Sequence, residues 1–182
     1  MNRIFMFVMA AASLFLLSGC QTYYDASYKY SWDEQQNLAR PKIMPGQKAY
    51  VWAGTNVLHA LEETGLFSSV EEAPSRQPVP NGIYISMVTV DNKWESGSFL
   101  GALLTLGSLG LIPNYNGGET TQTVEIEVYQ NGALLMKTEA TILLTTMSGF
   151  TAPLIADEDK AYKKESKLLV RKMISELNRT TK

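Results

Sequence analysis

Histidine and cysteine are almost absent from this chain, whose 182 residues contain one of each, His59 and Cys20. A lone histidine cannot form a multi-histidine metal site, and a lone cysteine leaves no pair for a disulfide within the chain. The sequence also contains no Gly-x-Ser-x-Gly nucleophile elbow, no Gly-x-Gly-x-x-Gly fingerprint and no Walker phosphate loop. We therefore predict no metal site, no cofactor and no enzymatic activity, and we expect His59 to be a surface or boundary residue.

The chain has little net charge of either sign. Its 16 basic and 18 acidic residues give a formal net charge of −2. The chain has no basic footprint for nucleic acid, so we expect no nucleic-acid partner. The acids occur mainly as neighbours, at Glu62/Glu63, Glu71/Glu72 and residues 157–159. Neighbouring side chains on a helix or strand point in different directions, so these pairs do not predict a shared acid–base site.

An N-terminal apolar segment ends at the single cysteine. Arg3 supplies a positive charge, residues 4–17 are almost entirely apolar, and Leu17-Ser18-Gly19-Cys20 follows. The run is too short to span a bilayer comfortably and has the order of a secretory signal. Because the cysteine directly follows small residues, residues 1–20 resemble the lipobox of bacterial lipoproteins. The alternative is a transmembrane anchor or an ordinary signal peptide with an incidental cysteine.

The lipobox resemblance implies cleavage between Gly19 and Cys20 and acylation of Cys20, which makes membrane lipid the first partner. Gln21 stands where Asp retains Gram-negative lipoproteins in the inner membrane, so the resemblance implies a lipid-anchored outer-membrane protein that faces the periplasm. Several acyl chains anchor a protein stably, whereas one chain binds only marginally. Loss of the 19-residue signal peptide, residues 1–19, leaves 163 residues, enough for one domain with a core.

Residues 20–47 are predicted to form an aromatic-rich tether. Pro41, Pro45 and Gly46 interrupt any helix or strand periodicity in this segment. Its aromatic residues are Tyr23, Tyr24, Tyr28, Tyr30 and Trp32. Tyrosine and tryptophan suit places that are half apolar and half wet. The segment therefore either contacts the membrane interface or a partner, or packs as a strap on its own domain.

Residues 48–178 are predicted to form a single α+β domain, followed by a tail at 179–182. We expect strands at residues 49–53, 67–72 and 83–90, and a first helix that ends at Gly65. A second helix is expected at about residues 157–178, where an apolar stripe lies opposite a basic face. This order predicts an antiparallel or mixed sheet with two helices packed on one face.

A β-hairpin is predicted at residues 120–147, with its turn at Asn131-Gly132. Apolar residues occupy mainly even positions on both arms, whereas a two-residue turn would pair even with odd positions. We therefore predict a three-residue loop, 130–132, with a left-handed Gly132 that forms a glycine bulge. This loop pairs Ile126 with Met136 and places Glu125 opposite Lys137, a favourable cross-strand pair.

Residues 98–113 are predicted to form a hydrophobic, glycine-containing insertion in the α+β domain. Residues 99–112 contain no charge, and as a helix they would be about 21 Å long against about 30 Å of bilayer hydrocarbon. The insertion is a buried segment that covers the sheet, a finger that touches the membrane, or a surface for a protein partner or self-association. The candidate contact residues are Phe99, Leu100, Leu103, Leu104, Leu106, Leu109, Leu111 and Ile112.

The layout of Cys20, a helix that ends at Gly65-Leu66-Phe67, a sheet and a C-terminal helix is similar to that of small envelope lipoproteins. These include the lipopolysaccharide-transport and intermembrane-transport accessory lipoproteins. The resemblance implies a non-enzymatic accessory or scaffold role in envelope assembly or transport, through protein or membrane contacts. The alternatives are a lipidated envelope hydrolase with His59 in a cleft, and a small-ligand-binding module that uses the aromatic segment.

Overall fold

The computed structural model describes residues 21–29, 46–97, 99–108, 113–149 and 152–180. The predicted signal peptide, the acylation site Cys20 and residues 30–45 of the predicted tether lie outside these ranges. Three of the candidate contact residues also lie outside them, namely Leu109, Leu111 and Ile112.

Six strands form one mixed sheet in the described part of the chain. The strands are β1 (Gln21–Tyr28), β2 (Lys48–Trp52), β3 (Ser69–Glu72), β4 (Ile83–Ser96), β5 (Asn114–Gln130) and β6 (Ala133–Ser148), in the spatial order β1-β6-β5-β4-β2-β3. The helices are α1 (Thr55–Thr64), α2 (Phe99–Gly107), α3 (Ala152–Ile155) and α4 (Glu158–Thr180). Strand β2 runs parallel to both β3 and β4. The predicted α+β class with a mixed sheet is confirmed.

Strand β2 and helix α1 follow from local sequence signals. Ala49 and Val51 alternate along β2, are fully buried, and lie opposite Ile83 and Ile85 of β4. Helix α1 ends as predicted at Gly65, which has a left-handed φ of 61° and donates its N–H to the Glu62 carbonyl at 3.1 Å. Glycine adopts this conformation without the steric cost that a Cβ atom brings.

Strand β1 lies within the segment that the sequence predicted as a tether. Its inward-facing residues Thr22 and Ala26 are buried, and the chain stays attached to β6 past its end, where the Lys29 N–H donates to the Thr141 carbonyl at 3.1 Å. Periodicity did not reveal the strand because its buried positions carry small residues, whereas strand patterns are recognised by large apolar ones. Residues 21–28 are therefore an outer strand of the described sheet, not a linker.

The turn between β5 and β6 differs from the predicted three-residue loop. Asn131 and Gly132 have φ values of 51° and 80°, and the two strands end and begin directly beside them. Two successive positive φ values are the signature of a two-residue type I′ turn. The prediction of a left-handed Gly132 is confirmed, and the prediction of loop length is wrong because asparagine also tolerates the left-handed region.

The predicted alternation of buried and exposed residues in this hairpin is nevertheless present. Even-numbered residues face the core, and Glu125 and Lys137 lie on the other face. Lys137 Nζ lies 2.7 Å from Glu125 Oε2 and 2.8 Å from Glu127 Oε1, whereas the even-numbered Ile126 and Met136 are buried. A two-residue turn alone would place Lys137 on the buried face with Ile126. One arm therefore contains an additional residue near the turn, as in a β-bulge.

Helix α4 carries the predicted apolar stripe and basic face. The residues buried on its inner face are Leu168, Leu169, Val170, Met173, Ile174 and Leu177. The exposed basic residues are Lys163, Lys164, Lys167 and Arg171. The acids Glu158 and Asp159 lie in the first turn, where negative charge interacts favourably with the helix dipole.

Contacts divide the chain into two compact units. Of the described residues, unit 1 contains 21–26, 93–97, 99–108, 113–120, 144–149 and 152–161. Unit 2 contains residues 27–29, 46–92, 121–143 and 162–180. Helices α2 and α3 thus belong to unit 1, and helix α1 and most of α4 belong to unit 2.

Candidate functional site

Helix α2 occupies the predicted hydrophobic insertion. Its nine residues are mostly leucine, alanine and glycine, and the Ser108 N–H donates to the Leu104 carbonyl at 3.0 Å near its C-terminal end. Nine helical residues extend about 14 Å, which is half the thickness of a bilayer's hydrocarbon. Among the residues that the structure describes, no helix combines the length and the apolar character needed to cross a membrane.

Four large apolar side chains of α2 are exposed to solvent. The exposed fractions are 75% for Phe99, 71% for Leu100, 50% for Leu103 and 64% for Leu104. Residues four apart lie one turn above each other, so the pairs 99/103 and 100/104 form one continuous strip, which we call the α2 surface. The alternative in which the insertion is buried against the sheet does not hold for these four residues. Leu106 also lies in α2.

Two further exposed apolar residues belong to the same unit as the α2 surface. Trp94, near the end of β4, is 53% exposed, and Leu154 of α3 is 85% exposed. Residues 97–113 between Trp94 and β5 contain no charged side chain. Soluble monomers rarely expose contiguous apolar patches of this kind without a binding function. Unit 1 therefore carries the chain's main concentration of exposed apolar residues within its described part.

The predicted acylation site is covalently attached to unit 1. Cys20 directly precedes Gln21, the first residue of β1, and consecutive Cα atoms are about 3.8 Å apart. Within the unit, Thr22 and Ala26 are buried, and the Tyr23 hydroxyl lies 3.4 Å from Thr120 Oγ1 of β5. The beginning of β1 is thus held in the fold, so Cys20 is followed by structured chain rather than by a spacer.

His59 pairs with a glutamate of its own helix, α1. Its Nδ1 lies 3.1 Å from Glu62 Oε2, one turn along α1, and both side chains are more than half exposed. Among the described residues, no cluster of three or more His, Cys, Asp or Glu side chains could hold a metal ion. His59 is therefore a surface residue, as the sequence predicted.

A polar cleft of about 340 Å³ lies within unit 2 and was not predicted. It is lined by the start of α1 with the two residues before it (residues 53–57), Met87 and Thr89 of β4, Val124 of β5, and Tyr162, Glu165, Ser166 and Leu169 of α4. Glu165 is half-buried, and this burial raises the pKa of its carboxyl group to about 7. The sequence contained one signal for it, because Glu165 interrupts the apolar stripe between Tyr162 and Leu169.

A second cleft, of about 370 Å³, lies between α1 and α4. At its rim, Lys167 Nζ lies 2.9 Å from Glu63 Oε2, and this hydrogen bond lowers the pKa of Glu63. Both side chains are more than half exposed, so water screens the pair and its contribution to stability is small. Two of the charged groups that line this cleft, Lys167 and Glu63, are thus paired with each other, and Arg171 also lines it.

No protein-family model matches this chain, and no curated protein sequence matches it. The solution structure of an uncharacterized lipoprotein B from Nitrosomonas europaea aligns over 84% of this chain and 93% of its own, with 14% identity and a TM-score of 0.42. A variant of PelC from Paraburkholderia phytofirmans, solved as a dodecamer, aligns over 78% and 94%, with 15% identity and a TM-score of 0.37. These are similarities of backbone layout, and neither assigns a function or a site residue to this chain.

Proposed function

We propose that this chain is a non-enzymatic, lipid-anchored lipoprotein of the bacterial envelope that rests on its membrane through the α2 surface. In this role it serves as an accessory or scaffold for envelope assembly or transport. The observation that carries the proposal is the exposure of Phe99, Leu100, Leu103 and Leu104 on a helix in a segment without charge. The lipobox-like Leu17-Ser18-Gly19-Cys20 supports the anchor, and Gln21 supports the outer membrane.

The energy available from the α2 surface is large enough to hold the unit against a bilayer. Complete burial of a leucine or phenylalanine side chain is worth about 1.5–3 kcal/mol, and these four side chains are half to three-quarters exposed. Their transfer into the membrane interface therefore contributes on the order of 5 kcal/mol. This adds to the acyl chains on Cys20, which already confine the protein to the membrane surface.

The position of the anchor also favours membrane contact. Because Gln21 is already part of β1, acyl chains on Cys20 bring the beginning of that strand to the bilayer surface. Residues 21–26 and α2 belong to the same compact unit, so the strand that follows the proposed anchor belongs to the same unit as the α2 surface. A helix of about 14 Å is suited to lie in the interface or to enter one leaflet, not to span the bilayer.

The experiment places a photoreactive residue at Leu104 in the full lipoprotein, crosslinks native envelopes, and identifies the products by mass spectrometry. The matched control is Leu134 on β6, which is also apolar and 53% exposed but belongs to unit 2. We expect adducts with lipid at position 104 and none at position 134. Adducts with one protein at position 104 would replace the membrane by a protein partner, and crosslinks confined to this chain would overturn both.

A further inference from the structure

The Glu165 cleft, which is the polar cleft of about 340 Å³ described above, is unrelated to the proposed membrane contact. Every lining residue belongs to unit 2, whereas the α2 surface and the beginning of β1 belong to unit 1. Its volume is in the range of small-molecule sites, and its lining combines apolar groups with a few convergent polar groups, as such sites do.

The carboxyl group of Glu165 has no partner in the part of the chain that the structure describes. It makes no hydrogen bond or ion pair there, and desolvation alone accounts for its raised pKa. The polar residues that line the cleft with it are Thr55 and Asn56 from α1, Thr89 from β4, and Tyr162 and Ser166 from α4. These neighbours include no lysine, arginine or histidine. A carboxyl group held in a cleft without a cation is the chemical complement of a cationic ligand.

The rest of the lining restricts the size and polarity of such a ligand. Met87, Val124 and Leu169 provide apolar side chains from three different elements, and Tyr162 adds an aromatic side chain to the lining. Methionine and aromatic side chains pack well against flat or flexible apolar groups. The hydroxyl and amide groups of Thr89, Ser166 and Asn56 can accept the remaining hydrogen bonds of an ammonium group.

We infer that the Glu165 cleft binds a small primary amine with an apolar body, with the ammonium group paired to the Glu165 carboxylate. Binding requires ionised Glu165, so affinity rises as the pH increases through the pKa of that carboxyl group. With a pKa of about 7, the ionised fraction, and with it the affinity, increases about tenfold from pH 6 to pH 8. The amine itself remains protonated over this range.

The test uses three probes of similar shape and different charge: phenethylamine, 3-phenylpropionate and 2-phenylethanol. Each is titrated into the full acylated lipoprotein in detergent micelles, labelled with ¹³C in the methionine methyl groups. The Met87 methyl group lines the cleft and reports binding through the ring current of the probe, and Met173, buried in the core, is the internal control. We expect saturable shifts of Met87 with phenethylamine, about tenfold tighter at pH 8 than at pH 6.

Two variants assign the effect to the carboxyl group. Glu165→Gln keeps the shape and should abolish amine binding and its pH dependence, whereas Glu72→Gln, at an exposed position on β3, should leave both unchanged. Equal shifts with all three probes, preferential binding of 3-phenylpropionate, or no saturable shift in the wild-type protein would overturn the inference. The wild-type comparison decides this even if Glu165→Gln fails to fold.

Discussion

The indole of Trp94 lies against the backbone of Gly118. A Cβ atom at position 118 would stand 2.8 Å from Trp94 Nε1 and 2.9 Å from the carbonyl oxygen of Glu95. Side-chain carbon atoms in folded proteins do not approach other atoms so closely, and one of the two neighbours is backbone. Glycine at this position of β5 therefore leaves room for the half-exposed tryptophan of β4.

Gly118→Ala should destabilise the protein, because the added methyl group must displace the indole or separate the backbones. Overpacking of this kind costs about 1–3 kcal/mol, measurable as a lower urea midpoint. Gly107→Ala is the matched control in the same unit, since a Cβ there meets nothing within 4 Å. Its midpoint should be unchanged or slightly higher. Equal midpoints for Gly118→Ala and the wild-type protein would contradict the contact.

If the α2 surface contacts the membrane, a spin label attached to it should lie within the bilayer. Because Cys20 is the only cysteine and is predicted to be acylated, Leu103→Cys would provide a unique labelling site. In the lipoprotein reconstituted into vesicles, this label should be accessible to oxygen and protected from a water-soluble nickel complex. A label at Leu134→Cys on β6 should show the opposite accessibility.

Negative charge placed on the α2 surface should move the spin label at position 103 from the membrane into water. Leu100→Asp with Leu104→Asp adds two carboxylates that disfavour the membrane interface by several kcal/mol, so the label should become accessible to nickel. Far-UV circular dichroism should be unchanged, because both side chains are exposed. A label that stays protected in this variant would mean that α2 is covered by something other than lipid.

Lys137 is predicted to make the hairpin sensitive to acid. Its hydrogen bond lowers the pKa of Glu127, and a carboxyl group with a depressed folded-state pKa stabilises the fold above its unfolded pKa. This stabilisation is lost as the pH falls through the folded-state pKa. Lys137→Met should therefore lower the free energy of unfolding at pH 7 slightly, and by less as the pH falls below the unfolded pKa of 4.5.

Two controls distinguish the loss of this ion pair from the general effect of removing a positive charge. They are high salt and the substitution of another lysine. The side chain of Lys137 is about half exposed, so high salt should reduce the difference between Lys137→Met and the wild-type protein. Lys160→Met removes an exposed lysine whose ammonium group makes no ion pair within the described residues, and it should have little effect at any pH. Identical pH profiles for the two variants would rule out the Glu125–Lys137–Glu127 cluster as a source of stability.

Glu165 should give the opposite dependence on pH. Its folded-state pKa is raised to about 7 from an unfolded value near 4.5, so the folded state binds the proton more tightly. Stability is then greatest below pH 4.5 and falls as the pH rises to 7. Glu165→Gln should remove this slope and stabilise the protein at pH 8 by about 2 kcal/mol, after allowance for partial solvent exposure. A carbon NMR titration of the Glu165 carboxyl near pH 4.5 would contradict this prediction.

The elements that periodicity predicted well are those in which large apolar residues define one face. Helix α4 and strand β2 are of this kind, since Met173 and Val51 occupy positions that pattern alone assigns to the core. Gly65 marked the end of α1 because few other residues adopt a left-handed conformation at low cost. Hydrophobic periodicity does not predict strand β1, because its buried residues Thr22 and Ala26 are not large apolar residues.

The exposure of the α2 side chains and the raised pKa of Glu165 could not be predicted from the sequence pattern. Residues 99–112 are apolar whether they are buried or exposed, and only the structure places Phe99, Leu100, Leu103 and Leu104 in solvent. Glu165 acquires its raised pKa from residues of three other elements that are distant in sequence. At the hairpin, the predicted even-numbered apolar phase is present, but the turn contains two residues, Asn131 and Gly132, instead of three.

The pairing of β1 with β6 has a consequence for the order of maturation. The two strands are separated by more than 100 residues of chain, so β1 can join the sheet only after β6 has been synthesised. Closing such a long loop is slow compared with formation of the local β5–β6 hairpin. The N-terminal strand is thus expected to stay unpaired while the hairpin folds, and its pairing with β6 then adds an edge strand to the folded hairpin.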